Sequence, residues 1–198
     1  MFGLNLKRKE RRIGGGQRVT ARLNSRLMPI DRGEIYEDPL DAAVKRAELG
    51  EVTGGGTQLG ENGEAAFCDI ELTLYERSPE NLDKVAKALE ACGAPKGSKL
   101  HLDGSVCEVE FGVNEGLALY LDGLGLPDEV YEKCDFDTVV EKLTEALGDK
   151  GRYHGFWQGE RETAVYLYGP SFETMKKAAA PFLASYPLCR GARVEQIA

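Results

Sequence analysis

Apolar positions in this chain fall into two runs of the same element types. Leu40, Ala43, Val44 and Ala47 lie three or four residues apart, the spacing of one helix face, with Asp38 placed to cap it, Pro39 at its first position and Gly50 to end it. Near residue 136 the pattern returns more strongly. Phe136, Val139, Val140, Leu143, Ala146 and Leu147 share one face, Asp135 is the cap and Gly148 the terminator. Two extended segments follow each helix. Residues 51–59 and 65–75 flank Gly60-Glu61-Asn62-Gly63, whose Asn-Gly is a strong hairpin signal, and residues 152–157 and 163–168 flank Gln158-Gly159-Glu160-Arg161.

A second helix then closes each run. Ser78-Pro79 opens one with the stripe Leu82, Val85, Leu89 and Cys92; Pro170-Ser171 opens the other with Phe172, Met175, Ala178, Ala179, Phe182 and Leu183, where Pro181 predicts a kink. Short strands at 99–102 and 192–197 end the two runs. Residues 19–31 and 107–122 supply the leading strands. In the first, Pro29 reads as a strand end; in the second, Asn114-Glu115-Gly116 reads as a hairpin turn.

Strand, helix, strand, strand, helix, strand, used twice, predicts an α+β protein. It is an internal duplication of two ferredoxin-like (βαββαβ-type) half-domains with helices packed on antiparallel sheet. Sequence echoes agree. The run from Ile30 to Asp41 has a counterpart over residues 121–137, Gly56 aligns with Gly155, and Gly60-Glu61 aligns with Gly159-Glu160 at the same offset. The expected organisation is a basic arm over 1–17, a first unit over 18–104 and a second over 105–198. Such an architecture serves many activities and names none of them.

Composition narrows the class. At 198 residues, 42% apolar and 29% charged, the chain can bury a substantial core. No apolar run approaches the roughly 18 residues of a membrane helix, and residues 1–6 are too short a stretch for a secretory leader. A cytoplasmic protein is expected. The five cysteines form no Cys-x-x-Cys pair and only two histidines are present, so reduced thiols and no metal site follow. The glycines lack the Lys-Ser/Thr ending of a phosphate loop, and no cofactor is expected.

The net charge of −8 is unevenly placed. Residues 1–26 hold eight basic side chains against Glu10 alone, which leaves the rest strongly acidic. The arm could contact an anionic partner or lie on its own acidic body; that body would repel the phosphates of nucleic acid.

Three sets of residues carry candidate chemistry. Gly54, Gly55 and Gly56 would let a ligand or backbone approach closely, and Tyr153, His154, Phe156 and Trp157 on the corresponding strand would form a stacking wall with a proton carrier. Facing each other, the two strands would line a small-molecule pocket between the units, the alternative being a bulge in one and core aromatics in the other. Asp69 and Glu71, two apart on a strand, share a face and with Glu162 would supply acid/base groups, or only a solvated surface. Glu34, Tyr36 and Glu37, and likewise Asp128, Glu129, Tyr131 and Glu132, set tyrosine among acids before a helix. They offer a contact surface for a basic protein partner, or else the tyrosines pack their own helix entrances. The preferred expectation is a non-enzymatic binding protein that recognises a basic partner, immunity- or antitoxin-like by analogy of charge and size. The alternative is a ligand-binding protein or enzyme using His154.

Overall fold

The computed structural model describes residues 16–106 and 108–198; the basic arm as far as residue 15 and Cys107 lie outside the described residues. Strand β1 (Gln17–Leu23) alternates as its sequence demands, with Val19, Ala21 and Leu23 buried and the residues between them facing outward. It occupies the centre of a five-stranded antiparallel sheet. The order is β2-β3-β1-β4-β5, built with β2 (Gly50–Leu59), β3 (Ala65–Leu74), β4 (Ser98–Leu102) and β5 (Glu108–Phe111).

The first helical segment begins earlier than its sequence suggests. Pro29 opens α1 (Pro29–Arg32) instead of ending a strand, because proline at a helix start presets φ and has no N–H to leave unpaired. Met28 keeps an extended backbone, and its carbonyl accepts from Arg32 N at 3.0 Å. A π-helical turn (Gly33–Glu37) runs straight into α2 (Asp38–Arg46), so Asp38 sits inside continuous helix and caps nothing. The end also differs. Glu48 takes a left-handed φ of 53° and Leu49 N donates back to the Val44 carbonyl at 2.9 Å, which frees Gly50 to begin β2. Helix α3 (Pro79–Ala91) matches its sequence, with Ser78 accepting from Asn81 N at 3.3 Å as the cap.

Residues 107–122 do not form a hairpin. β5 is a fifth strand on β4, and residues 112–114 carry the chain across to a second sheet. The crossing is pinned to the turn after α3, where Val113 N donates to Ala94 O at 3.0 Å and Lys96 N to Asn114 O at 2.7 Å. Gly112, at φ +101°, passes so close that a Cβ would lie 1.9 Å from Pro95 O.

The second sheet has the order β7-β8-β6-β9, from β6 (Glu115–Asp122), β7 (Arg152–Gln158), β8 (Glu162–Gly169) and β9 (Arg193–Gln196). Helices α4 (Asp128–Lys133), α5 (Phe136–Leu147) and α6 (Phe172–Ser185) cover one side. Asp135 caps α5 by accepting from Thr138 N at 2.7 Å, Ser171 caps α6, and Pro181 lies inside α6. Setting β5 aside, each sheet places its second, third, first and fourth strands side by side. That is the ferredoxin-like arrangement, made twice. No helix among the described residues is long and apolar enough to cross a membrane.

The pairing also fixes how the copies correspond. Val52 lies opposite Leu72 and Tyr153 opposite Leu167; one residue then bulges out of each ladder, Thr53 and His154, before Gly54 meets Glu71 and Gly155 meets Tyr166. Gly155 therefore corresponds to Gly54 and not to Gly56. The alignment by glycines slipped by two positions, which preserves the sheet face and so leaves no trace in the apolar pattern.

Two cores lie between helices and sheets. One gathers Leu23, Leu40, Ile70, Leu72, Val85, Leu89 and Leu100, the other Leu117, Leu119, Val139, Leu143, Val165, Leu167 and Met175. The helix-free faces are unlike. On the second sheet, Ala118, Tyr120, Ala164, Tyr166 and Tyr168 are all buried and form a third cluster. On the first sheet, the face bearing Thr20, Arg22, Asp69, Glu71 and His101 is half-buried to exposed.

Candidate functional site

The residues expected to form a pocket are distributed over several surroundings. Gly55 lies where a Cβ would meet Glu37 Oε1 at 2.5 Å, Asp69 O at 2.8 Å and Arg32 Nε at 3.0 Å. The gap admits an ion pair. Arg32, only 7% exposed, binds Glu37 through Nε and donates to Thr57 Oγ1 at 2.8 Å. Gly54 and Gly56 face open space or ordinary contacts. In the second unit Gly155, at φ +143°, lies against Asp31, whose Oδ2 would be 2.9 Å from a Cβ. The segment from Asp31 to Glu37 thus touches both glycine-bearing strands.

The aromatic run splits. Tyr153 packs into the helix-covered core, Phe156 is 44% exposed with its ring 5.1 Å from Phe136, and Trp157 packs against the tyrosine face. The bulge turns His154 toward the first unit. It is buried between Tyr168 at 4.9 Å and Tyr36 at 6.0 Å between ring centroids, and its Nδ1 has no hydrogen-bond partner among the described residues. Burial, and secondarily Arg152, push its pKa down to about 4, so the imidazole is neutral at pH 7.

The carboxylates do not converge on it. Asp69 makes a two-point pair with Arg22 at 2.9 and 3.0 Å, on the open face of the first sheet, and Arg22 stacks 4.1 Å over Phe67. Glu71 is exposed on the same face. Glu162 accepts from Arg193 at 3.0 Å through both oxygens, on the other sheet. Each is held by, or open to, groups other than His154. The described cavities lie elsewhere too: one of about 330 Å³ between α3 and β5, and one of about 220 Å³ beside Lys150 and Ser171.

The polar cluster between the units involves residues that motif reading passes over. Glu64, at the tip of the β2–β3 hairpin, accepts from Tyr120 and Tyr166 hydroxyls at 2.8 Å each and binds Arg26. Against burial, which works the other way, these donors hold its pKa below the usual glutamate value. Arg26 also reaches Tyr120, and its backbone N donates to the Tyr168 hydroxyl at 2.9 Å. Ser25 is fully buried beside the Tyr36 and Tyr168 phenols; it is close enough to oppose the rise that burial gives them, yet its hydroxyl falls short of hydrogen-bond geometry. The signal was present in the sequence. Ala164 to Tyr168 is apolar or aromatic at every position, as expected of a strand buried on both faces.

Both tyrosines set among acids serve the interior. Tyr36 is fully buried and donates to Gly93 O at 3.2 Å, so it presents nothing to a partner. Tyr131 receives Leu126 N at 3.0 Å and donates to Asp122 O at 3.2 Å, closing the loop before α4. Their acidic neighbours do face solvent: Glu34, Asp128, Glu129 and Glu132 are exposed, while Glu37 is engaged by Arg32. From residue 122 to 149 the chain holds nine acids and two lysines. All nine but Asp122 are exposed, and Leu124 stands 63% exposed among them.

Cys68, Cys92, Cys134 and Cys189 are free thiols. Burial pushes Cys68 up to about 12 and Cys189 up to about 11, which removes their nucleophilic thiolates. Among the described residues no group of three metal-ligating side chains comes together.

No protein-family model matches the sequence. No curated protein matches it either. Solved structures similar in fold include a Lactobacillus acidophilus protein named for a monooxygenase activity, at 12% identity, covering 92% of this chain and 93% of that one with a TM-score of 0.31. The regulatory subunit of aspartate kinase from Thermus thermophilus is 12% identical over 84% and 92%, with a TM-score of 0.28. The first two RRM domains of yeast poly(U) binding protein are 11% identical over 91% and 99%, with a TM-score of 0.25. These proteins differ in what they do, and the assignment of fold here rests on the strand order itself.

Proposed function

We propose that this chain is a binding protein for a basic protein partner, and that its contact surface is the outer side of α4 and α5. The observation that carries the reading is the stretch 122–149, in which nine acids face two lysines. Both lysines are already matched, Lys133 to Glu129 at 3.4 Å and Lys142 to Glu145 at 2.8 Å. Like charges held this densely on one layer cost self-repulsion in the free protein, and a basic surface would relieve it. Leu124, exposed on the loop before α4, gives the acidic field an apolar anchor. Glu34, on the first unit, belongs to the same class of exposed acid.

The acids steer and the apolar residue holds, so salt should weaken capture chiefly by slowing association. The test is capture from the native host at low salt, with the wild type and an Asp128→Asn/Glu129→Gln/Glu132→Gln variant compared. A basic protein retained by the wild type, released by salt and lost by the variant supports the reading. Equal retention by both, or retention only of acidic proteins, refutes it.

A further inference from the structure

One contact between the two units is bordered by apolar side chains in the open. Gly155 of β7 lies against Asp31 of α1, and a neighbour of each, Phe156 and Ile30, is exposed. Ile30 is 77% exposed, Phe156 44% and Met28 37%, with Pro29 exposed between Met28 and Ile30. Phe156 leans on Phe136, the first residue of α5, at 5.1 Å between ring centroids. Single apolar residues on a surface are ordinary. A group of them, drawn from three elements around one contact, marks a surface that meets something else. Nothing in the fold asks for Ile30, since Pro29 sets the first turn of α1 and Arg32 is its buried residue.

Carboxylates surround the group. Asp31 is half-buried, and burial, then the neighbouring Glu34, push its pKa up; among the described residues it makes no ion pair. Burial first, then Asp31 and Asp137, raise Tyr153 in the same way, so acids from both units stand around one phenol. Glu34 and Asp137 are exposed. Of the cations on α1 and β7, Arg32 is committed to Glu37, and Arg152 stands at the start of β7, roughly 10 Å along the strand from Phe156. A half-buried carboxylate without a cation, close to an exposed aromatic ring, suits a side chain that carries positive charge on an apolar stem.

We propose that the basic partner anchors on this seam through an arginine flanked by apolar residues, its stem against Ile30 and Phe156 and its guanidinium on Asp31, while Glu34 and Asp137 draw further cations. The inference rests on the reading of the chain as a binder of a basic protein, and it names the residues that hold that partner. A guanidinium stacks on aromatic faces, is weakly hydrated and gives a carboxylate two parallel bonds, so it gains more here than an ammonium group would. Arginines and aromatic rings are also where the energy of an interface concentrates. The acids of α4 and α5 then form the outer part of the contact, where water screens their pull. Ile30 and Asp31 come from the first unit, and Phe136, Asp137 and Phe156 from the second, so neither unit presents the seam alone.

The test titrates the isotope-labelled full chain with the peptide acetyl-Leu-Arg-Leu-Arg-Leu-amide, and separately with its glutamate counterpart, following backbone amide shifts by NMR. The expected result is shifts at residues 30–31, 136–137 and 155–156 with the arginine peptide and none with the glutamate peptide. Affinity for the arginine peptide should fall about fivefold or more in Asp31→Asn, which keeps the side chain's shape, and likewise in Ile30→Ser/Phe156→Ser. Shifts confined to residues 124–132 overturn the seam and leave the basic-partner reading standing. Unchanged affinity in Asp31→Asn overturns the seam as well. An arginine peptide without effect, or a glutamate peptide that acts equally, overturns the seam and the basic-partner reading together.

Discussion

Glu64 and Tyr166 stand 102 residues apart in sequence and 2.8 Å apart in space, carboxylate to phenol, and this bond joins the tip of one hairpin to the middle of the other sheet. Because Tyr120 and Arg26 share the same carboxylate, removing its charge leaves three donors without their best acceptor. Glu64→Gln should cost about 2 kcal/mol in urea unfolding, and Tyr166→Phe, which keeps the ion pair, about 1 kcal/mol.

The same carboxylate sets an acid limit. Its pKa is lowered in the folded protein from 4.5, so the stability it contributes is present above the unfolded value and is lost as pH falls through the folded one. The difference in stability between wild type and Glu64→Gln should therefore be constant from pH 7 to 5 and shrink below about 4.5. A difference unchanged at pH 3.5 would mean that the ionised form of the carboxylate is not what stabilises the cluster.

His154 gives a second and separate pH dependence. Its folded pKa of about 4 lies below the ordinary 6.5, so between those values the unfolded chain binds more protons. Stability falls as pH drops from 6.5 toward 4, by up to about 3 kcal/mol if the imidazole stays fully buried. His154→Phe should flatten that part of the profile while leaving the Glu64 limb in place. Calorimetric midpoints at half-unit pH steps would separate the two.

Gly155 and Gly56 look alike in sequence and should respond unequally. Gly155→Ala meets both a φ of +143° and Asp31 Oδ2 at 2.9 Å, and should cost about 2 kcal/mol or more. Around Gly56 nothing among the described residues lies within 4 Å of a Cβ, and Gly56→Ala should change stability by no more than about 0.5 kcal/mol.

Gly55 differs from both. Alanine there would press on Arg32, Glu37 and the β3 backbone together, so Gly55→Ala should approach the loss expected for Arg32→Ala, about 3 kcal/mol, and the double variant should lose much less than the two added together. Full additivity in unfolding measurements would show that the glycine serves something other than this ion pair.

These contrasts also show where the sequence was readable. Element types and their doubled order followed from period and caps, because Asp135, Ser78 and Ser171 act within a few residues of themselves. What escaped depended on contacts far along the chain. Pro29 was compatible with a strand end or a helix start, and it takes the helix start that leads on to the buried Tyr36. β5 and β6 read as one hairpin because nothing local reveals that the turn at Ala94–Lys96 captures the crossing. His154 was visible as a residue but not as a bulge; its neutrality comes from burial, between rings of Tyr36 and Tyr168 supplied by different units, and secondarily from Arg152. The acids of α4 and α5 were legible as charge, while their tyrosines, which composition cannot orient, turned inward.

The buried tyrosine face of the second sheet has a bearing on how the chain is made. Tyr120, Tyr166 and Tyr168 meet Trp157, Ile197 and Ala198 of their own unit, but their hydroxyls are engaged by Glu64 at the hairpin tip and by Arg26, and both of those leave the ribosome first. The later half thus completes itself on a surface already waiting for it. Expressed without its forerunner, it would carry an uncovered aromatic sheet into solution and seek its own kind there. Two copies of one fold have in this way ceased to be interchangeable: the first has become the template on which the second is finished.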